Sequence, residues 1–124
     1  MPWYVYNAPD ADSEPFNSFE TSRTYPVGAE EVRRAFETAV RGLPRWGIGK
    51  SSEGEIRAAR RTRLGFSDDI SVYLRERKTG AHTNTHASFR SVSRQGVYDF
   101  GQNRRNLGEL LDAMDGELRG NPMD

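Results

Sequence analysis

Asp69-Ile-Ser-Val-Tyr-Leu-Arg-Glu-Arg-Lys-Thr-Gly-Ala-His-Thr-Asn-Thr-His-Ala-Ser-Phe-Arg-Ser-Val92 is the stretch that decides the fold. Asp69 to Lys78 and Ala81 to Val92 both alternate like strands, and Thr79-Gly80 between them marks a tight turn. Pairing them across that turn sets Ile70 against Phe89, Val72 against Ala87 and Leu74 against Thr85, so apolar partners share a face. A slip of one residue would put Ile70 against Ser88, which the burial pattern disfavours. On the opposite face Asp69 then meets Arg90, Tyr73 meets His86 and Arg75 meets Asn84, with Ser71 and Ser88 between them. Facing opposite charges contribute about 0.2–1 kcal/mol. The expectation is a sheet with one apolar face and one polar, arginine-rich face.

Upstream of this hairpin, Phe19 to Val27 alternates as a strand, with Phe19, Thr21, Arg23 and Tyr25 on one side. An amphipathic helix follows. Val32, Ala35, Phe36, Ala39, Val40 and Leu43 recur at helical spacing, Glu30 and Glu31 occupy the first turn, and Gly42 and Pro44 end it. Trp46-Gly-Ile-Gly-Lys50 has neither dinucleotide nor P-loop spacing and reads as a short strand before a turn at Ser52–Gly54. Glu55 to Leu64 is the next strand, with Ile56, Ala58 and Leu64 inward and Arg57, Arg61 and Arg63 on the other face. Downstream, Leu107, Leu110, Leu111, Met114 and Leu118 mark a final helix, N-capped by Asp99 or Gly101 and stopped by Gly120-Asn121-Pro122. Trp3-Tyr4-Val5-Tyr6 reads as a short edge strand, and Asn7 to Asn17 as a polar connection.

This order of elements predicts an α+β domain: a single antiparallel sheet of four to five strands with two helices packed on one face. The expected divisions are an N-terminal arm or edge strand over 1–18, the domain over 19–120 and a tail over 121–124.

Composition narrows the function classes. The 124 residues include no cysteine, which excludes disulfides, thiolate catalysis and Cys-ligated zinc. No apolar run approaches a membrane span and no leader pattern opens the chain, so a cytoplasmic protein is expected. Net charge is zero, yet Arg33 to Arg105 holds sixteen Lys and Arg against seven Asp and Glu. Either the acidic ends lie over this basic middle, or the middle offers a surface to an anionic partner.

Arg90 to Arg105 mixes arginines, serines, Asp99 and Asn103 around Gly96 and Gly101 in a way that core packing does not require. Arg104 and Arg105 sit in the first helical turn, where the dipole opposes them by roughly 0.3–1 kcal/mol each. Either an internal carboxylate or a bound anion compensates. The candidate polar network or ligand site is Asp68, Asp69, Arg90, Ser91, Ser93, Arg94, Asp99, Asn103 and Arg105. No catalytic residue, metal site or cofactor is assigned. Asp68 and Asp69 point to opposite faces of a strand and do not converge on one atom. His82 and His86 lack the companion Glu of a metalloprotease pattern. Ser91 and Ser93 have no partnering base, and a face with Tyr73 as nearly its only aromatic argues against nucleic acid.

Gly65-Phe66-Ser67-Asp68-Asp69, then Arg90-Ser91-Val92-Ser93-Arg94-Gln95-Gly96 and Asp99-Phe100-Gly101-Gln102-Asn103, resemble the bacterial and plant family called domain of unknown function 1499. The resemblance spans roughly residues 19–118. It implies that Asp68, Asp69, Arg90, Ser91, Ser93, Arg94, Gly96, Asp99, Gly101 and Asn103 are signature positions, and it implies no activity. Two departures stand out: Asn106 where the family usually has arginine, and the absence of a cysteine-bearing N-terminal segment. Many relatives look exported or membrane-associated, which this chain does not. The leading expectation is a non-catalytic binding or scaffold domain built on the polar constellation, with a small anionic ligand. One alternative is a hydrolase-type enzyme with Asp69 or Asp99 as acid/base beside Arg94. The other is a homo-oligomeric module pairing through Trp3, Tyr4, Val5 and Tyr6.

Overall fold

The computed structural model describes residues 4–5, 18–62, 65–94 and 101–119. In chain order the elements are β1 (Tyr4–Val5), β2 (Ser18–Tyr25), α1 (Ala29–Gly42), β3 (Trp46–Ile48), β4 (Glu55–Arg61), β5 (Ser67–Thr79), β6 (His82–Ser93) and α2 (Gln102–Arg119). The strands form one antiparallel sheet in the order β1-β2-β6-β5-β4-β3, five strands plus the two-residue edge strand β1. This is the α+β architecture that the alternation and the two apolar stripes predict. Asn7 to Asn17, Arg63, Leu64, Gln95 to Phe100 and the expected stop at Gly120 to Pro122 lie outside the described residues.

Alternation decides what each strand buries. Phe19 and Tyr25 of β2, Ile56 and Ala58 of β4, Ile70 and Val72 of β5, and Ala87 and Phe89 of β6 face the helices. They meet Val32, Phe36, Ala39 and Val40 of α1 and Leu107, Leu110, Leu111 and Met114 of α2, the two stripes read from the sequence. Fully burying a residue of this kind stabilises by roughly 1.5–3 kcal/mol, so this layer dominates the fold.

The hairpin register differs from expectation by two residues. Val72, not Ile70, faces Phe89, Leu74 faces Ala87 and Ile70 faces Ser91. The turn is Gly80-Ala81, flanked by the Thr79–His82 pair, and Gly80 sits in the left-handed region at φ 60°. Glycine at the first central position belongs to a type II′ turn, which follows the twist of the strands. A slip of two leaves every side chain on its expected face, so burial pattern alone does not separate the two registers. The outer-face partners do change. Asp69 faces Val92 rather than Arg90, Tyr73 faces Ser88 rather than His86, and Arg75 faces His86 rather than Asn84.

Helix α1 begins after Gly28, whose side supplies no cap; Glu76 of β5 accepts the Ala29 N–H instead, at 2.8 Å. Helix α2 begins after Gly101 (φ 80°), whose carbonyl accepts the Arg105 N–H at 3.1 Å, as an N-cap residue's does. From Glu109 onward α2 is acidic, against its dipole, and two of its carboxylates have tertiary partners. Glu109 accepts from Trp46 Nε1 at 2.7 Å and lies 3.8 Å from Arg60, while both oxygens of Asp115 accept from Arg23 Nη1.

Candidate functional site

The inner ends of β5 and β6 place Asp68 opposite Ser93, with Ile70 opposite Ser91 one step along. The first turns of α2 cover this corner with Asn103 and Asn106, one helical turn apart on the face that Leu107 and Leu110 continue. Asp68, Ser91, Ser93, Asn103 and Asn106 are all buried. The Ser91 hydroxyl donates to Asn103 Oδ1 at 2.6 Å, and Asn103 Nδ2 donates to Ser93 Oγ at 3.0 Å. Asn106 Nδ2 donates to Asp68 Oδ2 at 2.8 Å and to Ser91 Oγ at 3.2 Å, while its own carbonyl accepts from Gln102 Nε2 at 2.7 Å. Buried polar groups are tolerated when each finds a partner, and a satisfied network of this kind fixes one arrangement of helix on sheet.

The other expected site residues lie elsewhere. Asp69 is on the outer face, where Arg94 donates to it through Nη2 at 2.5 Å and Nε at 3.2 Å. Those hydrogen bonds, and then the charge of Asp69, hold the Arg94 guanidinium above its already high range. A carboxylate so engaged is poorly prepared to act as the base of the hydrolase alternative. Arg90, expected opposite Asp69, instead pairs across β2 with Glu20, 3.1 Å away. Arg105 is exposed and donates to Gln102 Oε1 at 3.1 Å, and Arg104 lies over the Phe19 ring at 5.4 Å. Asp99 falls outside the described residues. The fold therefore joins Asp68, Ser91, Ser93 and Asn103 inside, and sets Asp69, Arg90 and Arg94 outside.

Asn106 escaped the candidate set, although its position four residues before Leu110 puts it on the buried stripe. Asparagine there has the signature of a buried amide that needs a carboxylate or hydroxyl. The outer face was foreseen as arginine-rich, and Arg57, Arg61, Arg75, Arg77, Arg90 and Arg94 do project from it against Glu20, Glu55 and Asp69. Arg57 pairs with Glu55 at 2.9 Å, and the hydrogen bond that it donates to that carboxylate raises its pKa. Among the described residues Arg61, Arg75 and Arg77 have no acidic partner. Small side chains, Ser22, Ser71 and Ser88, lie along the centre of this face.

No group of three or more His, Asp or Glu among the described residues is placed to hold a metal ion. None of the described helices is long and apolar enough to cross a membrane.

The chain belongs to the family of proteins of unknown function called DUF1499, whose profile matches residues 6–114. No curated protein matches it. Among solved structures, the crystal structure of Ara h 8.0201 is similar, with 10% identity and a TM-score of 0.39 over 83% of this chain and 98% of that one.

Proposed function

We propose that this protein is a non-catalytic binding domain that receives an anionic ligand on the outer face of its sheet, with the buried Asp68–Asn106 corner serving as scaffold. The observation that supports this most is the excess of arginine over carboxylate on that face, with Arg61, Arg75 and Arg77 lacking acidic partners among the described residues. Unpaired guanidiniums in the outer positions of a rigid sheet are ready donors for carboxylate or phosphate oxygens, which they engage through a planar fork. The inner constellation is suited to the other role, because its members spend their hydrogen bonds on one another and lie beneath α2.

A thermal-shift screen with inorganic phosphate, nucleotides, di- and tricarboxylates and anionic lipid headgroups tests the proposal. A ligand at a hundredfold excess over its Kd adds about 2.7 kcal/mol to the native state. The expected result is a shift with one anion class that disappears in the combined Arg61→Ser, Arg75→Ser, Arg77→Ser, Arg90→Ser variant, while the unliganded midpoint stays close to wild type. An equal shift in that variant, or none with any anion, overturns the proposal.

A further inference from the structure

Where β5, β6 and β2 run side by side, the outer face holds a hollow of about 220 Å³ lined by Glu20, Ser22, Tyr73, His86, Ser88 and Arg90. The register builds it. Tyr73, Ser88 and Ser22 form one cross-strand row, flanked by the Arg90–Glu20 row on one side and the His86–Thr24 row on the other. The two serines are short and leave the floor low, while Tyr73, His86 and Arg90 stand up as walls.

Two of the three wall groups, Arg90 and His86, are held on one side and available on the other. Arg90 approaches Glu20 through Nε at 3.1 Å, and its two terminal nitrogens have no partner among the described residues. His86 Nδ1 lies 3.2 Å from Thr24 Oγ1. If that nitrogen accepts from the hydroxyl, the neutral ring carries its proton on Nε2 and can donate there. Tyr73 is 51% exposed, an aromatic ring left open on an otherwise polar face. Fixing a side chain by a second contact before the ligand arrives reduces the ordering cost of binding.

We propose that this hollow binds a small planar anion: one aromatic or heteroaromatic ring bearing a carboxylate or a phosphate. The proposal rests on the outer-face reading above and assigns it a position and a ligand shape. The free groups are predominantly donors, namely the Arg90 fork, His86 Nε2 and the Ser22 and Ser88 hydroxyls, and the nearest carboxylate is already engaged by Arg90. An acceptor-rich head group therefore fits that end, and the ring face fits against Tyr73. The volume is below the range of about 300–1,000 Å³ that encloses drug-sized ligands, so a single ring is the appropriate size.

The test is an amide NMR titration of the full chain with four probes: phenyl phosphate, benzoate, inorganic phosphate and benzyl alcohol. Phenyl phosphate or benzoate should perturb the Ser22, Tyr73 and Ser88 amides and bind about tenfold more tightly than inorganic phosphate or benzyl alcohol. That factor is about 1.4 kcal/mol, the order contributed by one stacked ring. Arg90→Gln should weaken binding of the anionic ring about tenfold, and Tyr73→Ala should reduce phenyl phosphate to the level of inorganic phosphate. Ser88→Leu, which fills the floor without touching a charge, should abolish ring binding. Whichever of phenyl phosphate and benzoate binds more tightly identifies the head group. The hollow is overturned if neither aromatic anion moves these amides, or if all three variants bind as wild type does. Perturbation confined to the amides around Arg57, Arg61 and Arg75 would sink the hollow and leave the outer-face reading standing. No perturbation anywhere on that face would sink both.

Discussion

Asn106 gives one amide nitrogen to both Asp68 and Ser91, 2.8 Å from the carboxylate and 3.2 Å from the hydroxyl, and so ties the start of α2 to two neighbouring strands. Asp68 on β5 and Ser91 on β6 belong to adjacent cross-strand pairs, and both are buried. The amide carbonyl of Asn106 is occupied as well, by Gln102. The family resemblance places an arginine here, and a neutral amide in its position offers hydrogen bonds without a counter-charge.

Removing that amide strands a carboxylate. Asn106→Ala should destabilise the protein by about 2–3 kcal/mol, because the buried Asp68 loses a partner and a cavity opens under the helix. Asp68→Asn should cost clearly less, since an amide oxygen can still accept from Asn106 and no charge remains buried. Urea denaturation of both variants checks the order. An Asn106→Ala variant as stable as wild type would mean that the corner is not what holds α2 to the sheet.

The pair formed by Arg23 and Asp115 acts at the opposite end of the same helix. Arg23 projects inward from β2, and its Nη1 donates to both oxygens of Asp115 at 2.8 and 2.7 Å, with little of either side chain exposed. Breaking a buried pair from one side leaves an uncompensated charge and typically costs about 3–5 kcal/mol, whereas replacing both members by apolar groups is often near neutral. Asp115→Ala should therefore destabilise far more than the double substitution Arg23→Met with Asp115→Leu. A double-mutant cycle in urea measures the difference, and additive effects would show that the two groups do not depend on each other.

How much of this was legible in the chain depends on the period of each signal. The helices were readable because Val32 to Leu43 and Leu107 to Leu118 repeat an apolar stripe over three turns, and no other arrangement buries those residues together. The hairpin faces were readable for the same reason. Its register was not, because strands repeat every two residues and a slip of two is invisible to burial; glycine's preference for the first position of the turn decided it. The inner constellation was half legible. Ser91, Ser93 and Asn103 stood out as polar residues in a run that core packing does not require, and Asp68 shares the face of the two serines in either register, but which serine it sits opposite depended on that register. Asp69 and Arg94 drew attention through charge and proved to lie on the other face from Asp68. Arg23 was correctly placed with Phe19, Thr21 and Tyr25, yet nothing local names a partner ninety residues away.

Glu76 links the hairpin to α1. Gly28 has no side chain with which to cap the helix, and the Ala29 N–H bonds to Glu76 Oε1 at 2.8 Å. A carboxylate at this position both satisfies an orphan donor and opposes the positive end of the helix dipole. Glu76→Ala should destabilise by about 0.5–2 kcal/mol, the range for a lost side-chain cap, and Glu76→Gln by less, because its amide oxygen still accepts. Thermal unfolding of both variants tests this. Equal losses would assign the effect to charge alone, and no loss in either would show the cap to be without consequence.

Tyr25 makes the protein sensitive to alkali. Its ring is fully buried beside Arg23 and Asp115, and its phenol pKa is pushed far above the ordinary value of 10.0. Burial is the main cause; the nearby Arg23 opposes it in part, and Asp115 adds to it. In the unfolded chain the phenol releases its proton near pH 10, while the folded state retains it, so above that pH the native state binds more protons than the unfolded one. Stability then falls as pH rises, with a slope approaching 1.4 kcal/mol per pH unit for one such group, and this contribution is fully present below pH 10. Urea midpoints measured from pH 8.5 to 11 should decline more steeply in wild type than in Tyr25→Phe, in which the ring stays but the ionising hydroxyl is gone. Every other ionisable group is common to both proteins and cancels in the comparison. Parallel curves would mean that the phenol ionises in the folded protein as readily as in the unfolded chain, and that Tyr25 is not sealed beneath α2.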